Sequence, residues 1–374
     1  MTSEFVYSLN DPGGQLAILL GALKSSCRSR GGRFVLCVGS TETSDVPGIS
    51  AAGASPELRR LTPSIDAEVL VLGRTVGGQR LPVSPAGIVS PVVITRAALR
   101  LLGLPVIVVD CGSFRPPAVE RVTAGIRVAR CLSTGRALDQ DHVEQLFEAG
   151  VRLGNELRSQ CDYLILAECV PAGTTTALGL LTALGQQVNG LISSSLPESD
   201  HAVRQQLVDR GAALSGLSAA RARRMPLLAV AALGDPMQPV AAGIALSASQ
   251  RIPVVMAGGS QMLAVWALVR TSAGRQGVRL PPGNLGVITT KWVAFDRSAG
   301  SSRLASLLEA PFAAACPDFT RSRHGGLRAY ERGHVKEGVG AGGAMAVASL
   351  TGGASPEQIL QAIDTVYDEL VLAG

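Results

Sequence analysis

Two glycine-rich segments contain residues whose types and spacing could perform chemistry. The first reads LILAECVPAGTTTALGLLTAL, from Leu164 to Leu184, and predicts a strand that ends at Glu168, a turn and then a helix. Three hydroxyl donors begin this helix: Thr174, Thr175 and Thr176. Because N–H groups at a helix N-terminus attract anions and Gly173 permits close approach, the segment could cradle a phosphate group. An ordinary capped helix start explains the same residues equally well, and no lysine follows the glycine as in a P-loop.

The second segment reads HVKEGVGAGGAMAVASL, from His334 to Leu350. Its glycines are predicted to let the backbone wrap a ligand before a helix of small residues begins near Ala344. These glycines are Gly338, Gly340, Gly342 and Gly343. Glu337 stands at the mouth of this turn, where apolar surroundings would raise the pKa of its carboxyl group and suit it to act as a general base. The alternative is that Lys336 and Glu337 form a charge pair that faces solvent.

Two further predicted strand ends are candidate ligand-binding positions. The stretch Val106–Ser113 reads VIVVDCGS and contains one acidic residue, Asp110, where the diphosphate-ribose loop of ordinary phosphoribosyltransferases needs two adjacent ones. This difference argues against a diphosphate donor and a required Mg²⁺, and Asp110 is expected to cap the turn that follows. A second stretch, MAGGSQ, places Gly258 and Gly259 where a parallel strand meets a helix. Ligands of open α/β folds bind at that edge of the sheet.

The elements that must position these residues alternate between short apolar runs and helical patterns. Seven runs are predicted as strands: Phe34–Gly39, Glu68–Gly73, Pro105–Asp110, Asp162–Ala167, Pro226–Ala232, Ile252–Ala257 and Gly286–Thr290. Most are continuously apolar, which indicates strands covered on both faces of a parallel sheet. We therefore expect an α/β fold with a doubly wound, mostly parallel, Rossmann-like sheet. Helices should cover both faces, and the chain ends should form a smaller helical part.

Several helices have clear start signals. Ser90 supplies an N-cap and a first-turn proline follows it, which predicts a helix over Pro91–Leu102. Asp139 or Asp141 opens a second helix, and Ser355 with the proline after it opens the last one. The last helix carries an apolar stripe at helical spacing: Ile359, Leu360, Ile363, Val366, Tyr367, Leu370 and Val371.

Composition excludes several classes of function. Of the 374 residues, 47% are hydrophobic and 17% are charged, so the chain folds around a large core. The net charge of +5 comes mainly from arginine, but the only dense basic run is Arg221–Arg224 and aromatic residues make up 3%. This argues against nucleic-acid binding. We expect that run to be a solvated loop, and the polar stretch Ser272–Gly286 to be a loop as well.

Cysteine and histidine usage points to a reducing compartment and to no metal. The seven cysteines, which include Cys27, contain no C-x-x-C pair, so reduced, buried thiols are expected. The four histidines are dispersed. The N-terminal residues lack a signal-peptide pattern, and the apolar runs are broken too soon to span a bilayer. We expect a cytoplasmic protein with no membrane partner.

The order of the segments resembles the nicotinate-nucleotide–dimethylbenzimidazole phosphoribosyltransferase family, and in particular a divergent branch of it. The resemblance rests on GSTETSDVPGISAAGASPELRRLTP, PVSPAGIVSPVVITRAAL, the TGRAL stretch at Thr134–Leu138, GDPMQPVAAGIALSASQRIPVVMAGG and the KEGVGAGGA turn, in that order. It implies a single α/β domain over residues 1–374, with a divergent part at 1–80 and a family-like core at 82–350.

Within this resemblance the family's general base falls on Glu337, and the glutamate before its first glycine-rich turn falls on Glu168. The family usually has G-I-G-N before its paired threonines, where this chain has Val-Pro-Ala-Gly. A phosphate-contacting cation falls near Arg204. The predicted substrate-binding residues are Glu168, Gly173, Thr174, Thr175, Thr176, Arg204, Gly258, Gly259, Lys336, Gly338, Gly340 and, for the base pocket, Ser90, Pro91 and Thr95.

The resemblance implies transfer of phosphoribose from nicotinate mononucleotide to dimethylbenzimidazole or an adenine-like base. The product would be an α-riboside 5′-phosphate for cobamide assembly, made without cofactor or metal by a cytoplasmic homodimer. Two alternatives are a non-catalytic nucleotide-binding or regulatory protein of the same fold, and a nucleosidase-like hydrolase.

Overall fold

The structure is a computed structural model that describes residues 5–25, 30–197 and 201–372. Its described strands are β1 (Val6–Asn10), β2 (Gly32–Val38), β3 (Val106–Asp110), β4 (Arg121–Thr123), β5 (Tyr163–Cys169), β6 (Val254–Ala257), β7 (Leu285–Thr290) and β8 (Phe312–Ala315). They form one sheet in the order β1-β8-β7-β6-β5-β2-β3-β4. Only β1, at one edge, pairs antiparallel. The predicted α/β class with a mostly parallel sheet is confirmed.

Helices cover both faces of this sheet. They are α1 (Gln15–Ser25), α2 (Pro56–Leu72), α3 (Val92–Leu102), α4 (Gln140–Gln160), α5 (Gly173–Ala183), α6 (His201–Ser215), α7 (Ala219–Arg224), α8 (Pro226–Leu233), α9 (Met237–Ala248), α10 (Ser260–Gln276), α11 (Lys291–Ala294), α12 (Ser301–Leu307), α13 (Gly325–Arg328), α14 (Ala341–Leu350) and α15 (Pro356–Tyr367). One core lies between the sheet and α4, α5, α8, α9 and α10. The other lies beneath α1, α2, α3, α14 and α15.

Strand β5 shows why the runs are continuously apolar. All seven of its residues are buried. Leu164 and Leu166 belong to the core on one face, and Ile165 and Ala167 belong to the core on the other. Because successive side chains point to opposite faces, a strand covered on both sides needs apolar residues at every position.

Two predicted strands are wrong. Glu68–Gly73 is the end of α2, and Pro226–Ala232 is almost all of α8. An apolar run of this length fits a buried helix as well as a buried strand, and the helix start signals decide between them. The Ser55 hydroxyl accepts from the backbone N–H of Leu58 to cap α2, and α8 starts at a proline and consists mainly of alanine and leucine.

Other local predictions also need correction. The sequence pattern missed three short strands: β1, β4 and the alanine-rich β8. Arg221–Arg224 forms the end of α7 with its arginines exposed, instead of a loop. Helix α10 continues to Gln276, so the loop before β7 is shorter than Ser272–Gly286.

Helix starts agree better with the sequence. Asp139 is the N-cap residue of α4, and Ser355 forms a capping box that opens α15. Helix α3 begins at Val92, whose N–H donates to the Ser90 hydroxyl. The Asp110 carboxylate accepts from the backbone of the following turn, as expected for a capping residue.

Six cysteines lie within the described residues, and all are free thiols: Cys37, Cys111, Cys131, Cys161, Cys169 and Cys316. Four are buried, and Cys131 and Cys316 are half-buried. Cys27 lies outside the described residues. In the part of the chain that the structure describes, no helix combines the length and apolar character that crossing a membrane would require.

The start of α14 lies unusually close to the carboxyl ends of the central strands. A Cβ at Gly342 would overlap the backbone of Thr289 at the end of β7, and one at Gly343 would overlap Ala257 at the end of β6. Glycine is required here because the neighbouring atoms are protein backbone and a buried side chain. The contact sets the position of the turn that precedes α14.

We predict that Gly342→Ala destabilises the fold by about 2 kcal/mol or more, because the Thr289 backbone cannot yield without moving β7. Gly274→Ala is a matched control on the exposed side of α10, where a Cβ would meet nothing within 4 Å. That change should stabilise the protein by roughly 0.5–1 kcal/mol. Urea unfolding of both variants checks the prediction, and equal stability of the two would contradict it.

Candidate active site

A cavity opens at the carboxyl edge of the sheet, where β5, β6 and β7 end. Its volume, with the open mouth included, is about 820 Å³. One wall consists of the end of β5 at Glu168, the start of α5 at Gly173 and Thr174, and the start of α10 at Gly259. Glu337 and the turn around it complete this wall. The two glycine-rich segments therefore meet in one cavity.

The opposite wall comes from the N-terminal quarter of the chain. It includes residues 50–53, then Thr62 and Asp66 one turn apart on α2, and the segment 82–84. Ser90 and Pro91, at the start of α3, join the two walls. The part of the chain that was expected to diverge most from the family thus contributes directly to the cavity.

The carboxylate of Glu337 is held by four hydrogen-bond donors. One oxygen accepts from the backbone N–H groups of Gly338 and Gly342, both at 3.2 Å. The other accepts from the N–H of Thr290 at 2.8 Å and the hydroxyl of Thr289 at 3.1 Å. A carboxylate has about four lone-pair positions, so these donors occupy all of them and fix its orientation.

The backbone that presents Glu337 is strained. Val335, Lys336 and Val339 have φ values of 64°, 62° and 53°, in the left-handed region that β-branched residues rarely adopt. The hydroxyl of Thr95 helps to hold this turn by donating to the carbonyl of Val339 at 3.0 Å. Strain of this kind persists only where the surroundings over-determine the conformation, and it concentrates at functional sites.

Burial gives both cavity glutamates raised pKa values. Removal from water raises the pKa of Glu337 to about 7, against the opposing effect of its four hydrogen bonds. Removal from water, and then the nearby charge of Glu337, raises the pKa of Glu168 to about 8. At neutral pH Glu168 is therefore mostly protonated and can donate a hydrogen bond, while Glu337 is poised to exchange a proton.

The alternative interpretation of Lys336 and Glu337 as a solvent-facing charge pair is wrong. Lys336 is 2% exposed, and its ammonium group lies 2.6 Å from the carboxylate of Asp296. Ser193 also donates to Asp296, at 2.6 Å. Although burial acts to raise it, the pKa of Asp296 is held below its usual value by the hydrogen bonds from Lys336 and Ser193. The ammonium charge is thus satisfied within the protein, and Glu337 faces the cavity.

The predicted phosphate cradle at the start of α5 has fewer donors to offer than the sequence indicates. The N–H groups of Gly173, Thr175 and Thr176 already donate to carbonyl groups of the preceding turn, at 2.8 to 3.3 Å. Thr174 does line the cavity. A Cβ at Gly173 would overlap the side chain of Gln261, so this glycine makes room for a protein contact.

The start of α10 is a second position with anion-binding geometry. Ser260 and Gln261 line the cavity there, together with the loop 193–195. The first N–H groups of a helix have no partner within the helix, and its dipole favours negative charge. The Ser260 hydroxyl accepts from the N–H of Ser193 and so joins the loop to the helix.

The cavity brings together part of the predicted set. Among the described residues, those that line it are Glu168, Gly173, Thr174, Gly259, Lys336, Glu337, Gly338, Ser90 and Pro91. Six others do not line it: Thr175, Thr176, Arg204, Gly258, Gly340 and Thr95. Two of these have clear structural roles. Thr176 donates to the buried carboxylate of Asp235, and Arg204, which is 2% exposed, donates to the carbonyl of Ile192.

Sequence reasoning missed Asp66, Gln261, Asp296 and the serines at 193–195. Asp66 could have been found from the helical spacing of Thr62 and Asp66 in α2, but the end of that helix was assigned to a strand. Gln261 follows the predicted Gly258–Gly259 pair and carried a positional signal. Asp296 had none, because its role depends on a lysine 40 positions away.

The fold and this cavity define a phosphoribosyltransferase-like α/β protein. The sequence profile of the family described as Phosphoribosyltransferase (DBI_PRT) matches residues 93–279. The chain belongs to this family, as the resemblance predicted. The match includes β5, the start of α5 and the start of α10, and Glu337 lies outside it.

Two similar proteins show which group of this family the chain belongs to. The chain is 48% identical over 337 residues to a UPF0284 protein of Gloeobacter violaceus, covering 90% of this chain and 88% of that one. It is 42% identical over 335 residues to a UPF0284 protein of Microcystis aeruginosa, covering 89% and 91%. The chain is therefore a member of the UPF0284 group within this family.

Solved structures share the fold. A nicotinate-nucleotide-dimethylbenzimidazole phosphoribosyltransferase from Thermus thermophilus superposes with a TM-score of 0.59 at 19% identity, covering 94% of this chain and 89% of that one. A structure of CobT from the same organism gives a TM-score of 0.60 at 17% identity, covering 93% and 90%. The chain therefore has the same fold as these two structures.

Burial of Glu168 predicts a measurable effect of pH on stability. Its pKa in the folded protein is about 8, above the ordinary 4.5 of an unfolded chain, so stability falls as pH rises from about 4.5 to about 8. We expect Glu168→Gln to be more stable than the parent at pH 9, by about 2–4 kcal/mol, and within about 1 kcal/mol of it at pH 5. Urea unfolding at both pH values measures this difference.

Glu148→Gln, the same substitution at a side chain of α4 that is 70% exposed, is the matched control and should follow the parent at both pH values. A Glu168→Gln protein that is less stable than the parent at pH 9 would contradict the interpretation.

Proposed function

We propose that this protein transfers the 5-phosphoribosyl group from nicotinate mononucleotide to a ring nitrogen of an aromatic base of dimethylbenzimidazole or adenine type. The product is an α-riboside 5′-phosphate suited to the lower ligand of a cobamide. The observation that carries the proposal is the Glu337 carboxylate, which lies in the wall of the cavity with a pKa of about 7. Membership in a phosphoribosyltransferase family supports it.

The nicotinate leaving group of the donor departs without being protonated. Its pyridinium ring carries a positive charge at the glycosidic nitrogen, so cleavage releases nicotinate with an uncharged ring nitrogen and requires no general acid. The Glu337 carboxylate in the cavity wall, in its ionised form, favours this cationic ring. The phosphate group then belongs at a helix N-terminus away from the carboxylates, and the start of α10 and Thr174 suit it.

The acceptor base attacks the anomeric carbon through one ring nitrogen from the face opposite the leaving ring, which inverts that centre. The bond to nicotinate breaks as the new bond forms, and the acceptor's other ring nitrogen loses its proton to Glu337. A carboxyl group whose pKa lies near the working pH is well matched to this transfer. The apolar residues around it, such as Val170 and Val339, keep competing water away.

Glu337 must free a lone pair before it can take this proton, since four donors occupy its oxygens. Three of these donors are backbone N–H groups that cannot turn away. The fourth is the hydroxyl of Thr289, whose O–H can rotate about the Cβ–Oγ1 bond. Thr289 therefore acts as a positioning residue that holds the base and then yields to the proton.

The direct test is incubation with nicotinate mononucleotide and either dimethylbenzimidazole or adenine, with chromatographic detection of nicotinate and the α-ribotide. Glu337→Gln should lower kcat/KM by about 10²-fold or more, because the amide cannot accept the proton. Glu148→Gln should keep full activity. Full transferase activity in Glu337→Gln would show that another group is the base, binding without turnover would favour a non-catalytic protein, and nicotinate release without a base would favour a hydrolase.

A second prediction concerns pH. Glu337 must be ionised to act, so kcat/KM should rise with pH through about 7. Thr289→Val removes a hydrogen bond to the ionised form and raises the pKa of Glu337, so the acid limb should move to higher pH by roughly half to one pH unit.

Thr290→Val is the control, because the Thr290 hydroxyl donates to the Lys336 carbonyl and does not contact the Glu337 carboxylate. Its acid limb should stay with that of the parent. A Thr289→Val profile that coincides with the parent's would remove Thr289 from the mechanism.

A further inference from the structure

Asp66 is a buried carboxyl group at the cavity that neither the leaving of nicotinate nor the proton transfer uses. It lies on α2, is 2% exposed and lines the cavity. Thr62, one turn earlier on the same helix face, lines it too. Helix α2 therefore contributes an ionisable side chain to the lining of the cavity.

The hydrogen bonds of Asp66 are incomplete. Its Oδ2 accepts from the Ser90 hydroxyl at 2.9 Å and from the Cys169 thiol at 3.5 Å. Its Oδ1 is inaccessible to solvent and has no hydrogen-bond partner among the described residues. No ion pair of the described residues includes it either. A buried oxygen without a partner is costly, and such groups in native proteins call for an explanation.

The partners of Asp66 place it beside the reacting groups. Cys169 follows Glu168 directly in β5, and Ser90 precedes Pro91, whose ring packs where a Cβ of Gly338 would lie, at 3.3 Å. Asp66 is thus connected to Glu168 through Cys169, and to Glu337 by a longer path through Ser90, Pro91 and Gly338.

The neighbouring lining is apolar and suits the faces of a flat ring. Pro82, Val83, Ile88 and Pro91 surround this end of the cavity. A ring held between apolar side chains is oriented by the few polar groups at its edge. Among the described residues that line the cavity, Asp66 and Gln261 each have a side-chain oxygen without a hydrogen-bond partner, and Asp66 is the one that lies beside Ser90.

We propose that Asp66 determines the specificity for the acceptor base, and that the preferred base is a nitrogen heterocycle with an amino or N–H donor on the edge away from the attacking nitrogen. This inference rests on the proposed function. The donor completes the bonding of Oδ1, and a base with only carbon on that edge leaves the oxygen buried and unpaired. Sites built to hydrogen-bond a donor reject analogues that lack it far more strongly than apolar pockets reject a methyl group.

The test compares bases that differ only in an amino group and a methyl group: 4-amino- with 4-methylbenzimidazole, and 5-amino- with 5-methylbenzimidazole. With nicotinate mononucleotide as donor, the wild-type protein should favour the amino compound of at least one pair by about tenfold or more in kcat/KM. In Asp66→Asn the Ser90 hydroxyl keeps the carbonyl oxygen as its acceptor, so the NH2 group takes the place of Oδ1 and presents a donor there. The preference should then fall to within about threefold.

Asp209→Asn is the matched control, because it makes the same substitution at an exposed residue of α6 that does not line the cavity. It should keep the wild-type preference. Thermal unfolding of each variant shows that it is folded, and the wild-type comparison stands without any variant. Equal kcat/KM for amino and methyl compounds in both pairs, or an unchanged preference in Asp66→Asn, would overturn the inference.

Calorimetric binding of the same four bases separates this inference from the proposed function. If no base is converted, the proposed transfer fails. In that case, binding of an amino compound that is about tenfold tighter than that of its methyl analogue, and that is lost in Asp66→Asn, would still support Asp66 as the recognition group. Equal binding of both compounds, or no binding of either, would overturn it.

Discussion

The close approach of α14 to the ends of β6 and β7 is the constraint on which the cavity depends. Gly342 and Gly343 allow it, because any side chain there would overlap the strand ends. The approach brings the N–H of Gly342 and the backbone of Thr290 to opposite oxygens of Glu337. A half-buried carboxylate is thereby held by fixed donors, and partial removal from water raises its pKa to about 7 while its orientation stays fixed. Preorganisation of this kind limits the rearrangement that a reaction requires.

Glycine-rich turns usually suggest that the backbone binds a ligand, but these glycines instead allow helices to pack closely against strand ends. Gly340 and Gly173 border protein atoms, with Ala167 and Gln261 in the space that a side chain would need. They let helices dock against strand ends, and the docking places carboxyl groups at the edge of the sheet. The positive φ values of Val335 and Lys336 show that the turn before α14 follows from this docking and not from local preference.

The N-terminal quarter of the chain distinguishes this protein within its fold. Helix α2 contributes Asp66, and the segment after it leads to Ser90, so one side of the cavity depends on residues outside the part that matches the family profile. A protein that keeps the residues around Glu168 and Glu337 but changes those from the N-terminal quarter can keep its reaction and accept a different substrate.

The sequence alone determined the α/β class, the central strands and the helix starts at Asp139 and Ser355, because apolar periodicity and capping are local properties. It also singled out Glu168 and Glu337 by their positions beside glycine-rich turns. Only the tertiary structure decided that the run at Glu68 belongs to a helix and that Asp66 bonds directly to Ser90 and Cys169. Burial and pairing depend on atoms far apart in the chain, so the pKa of a carboxyl group cannot be read from its neighbours in sequence.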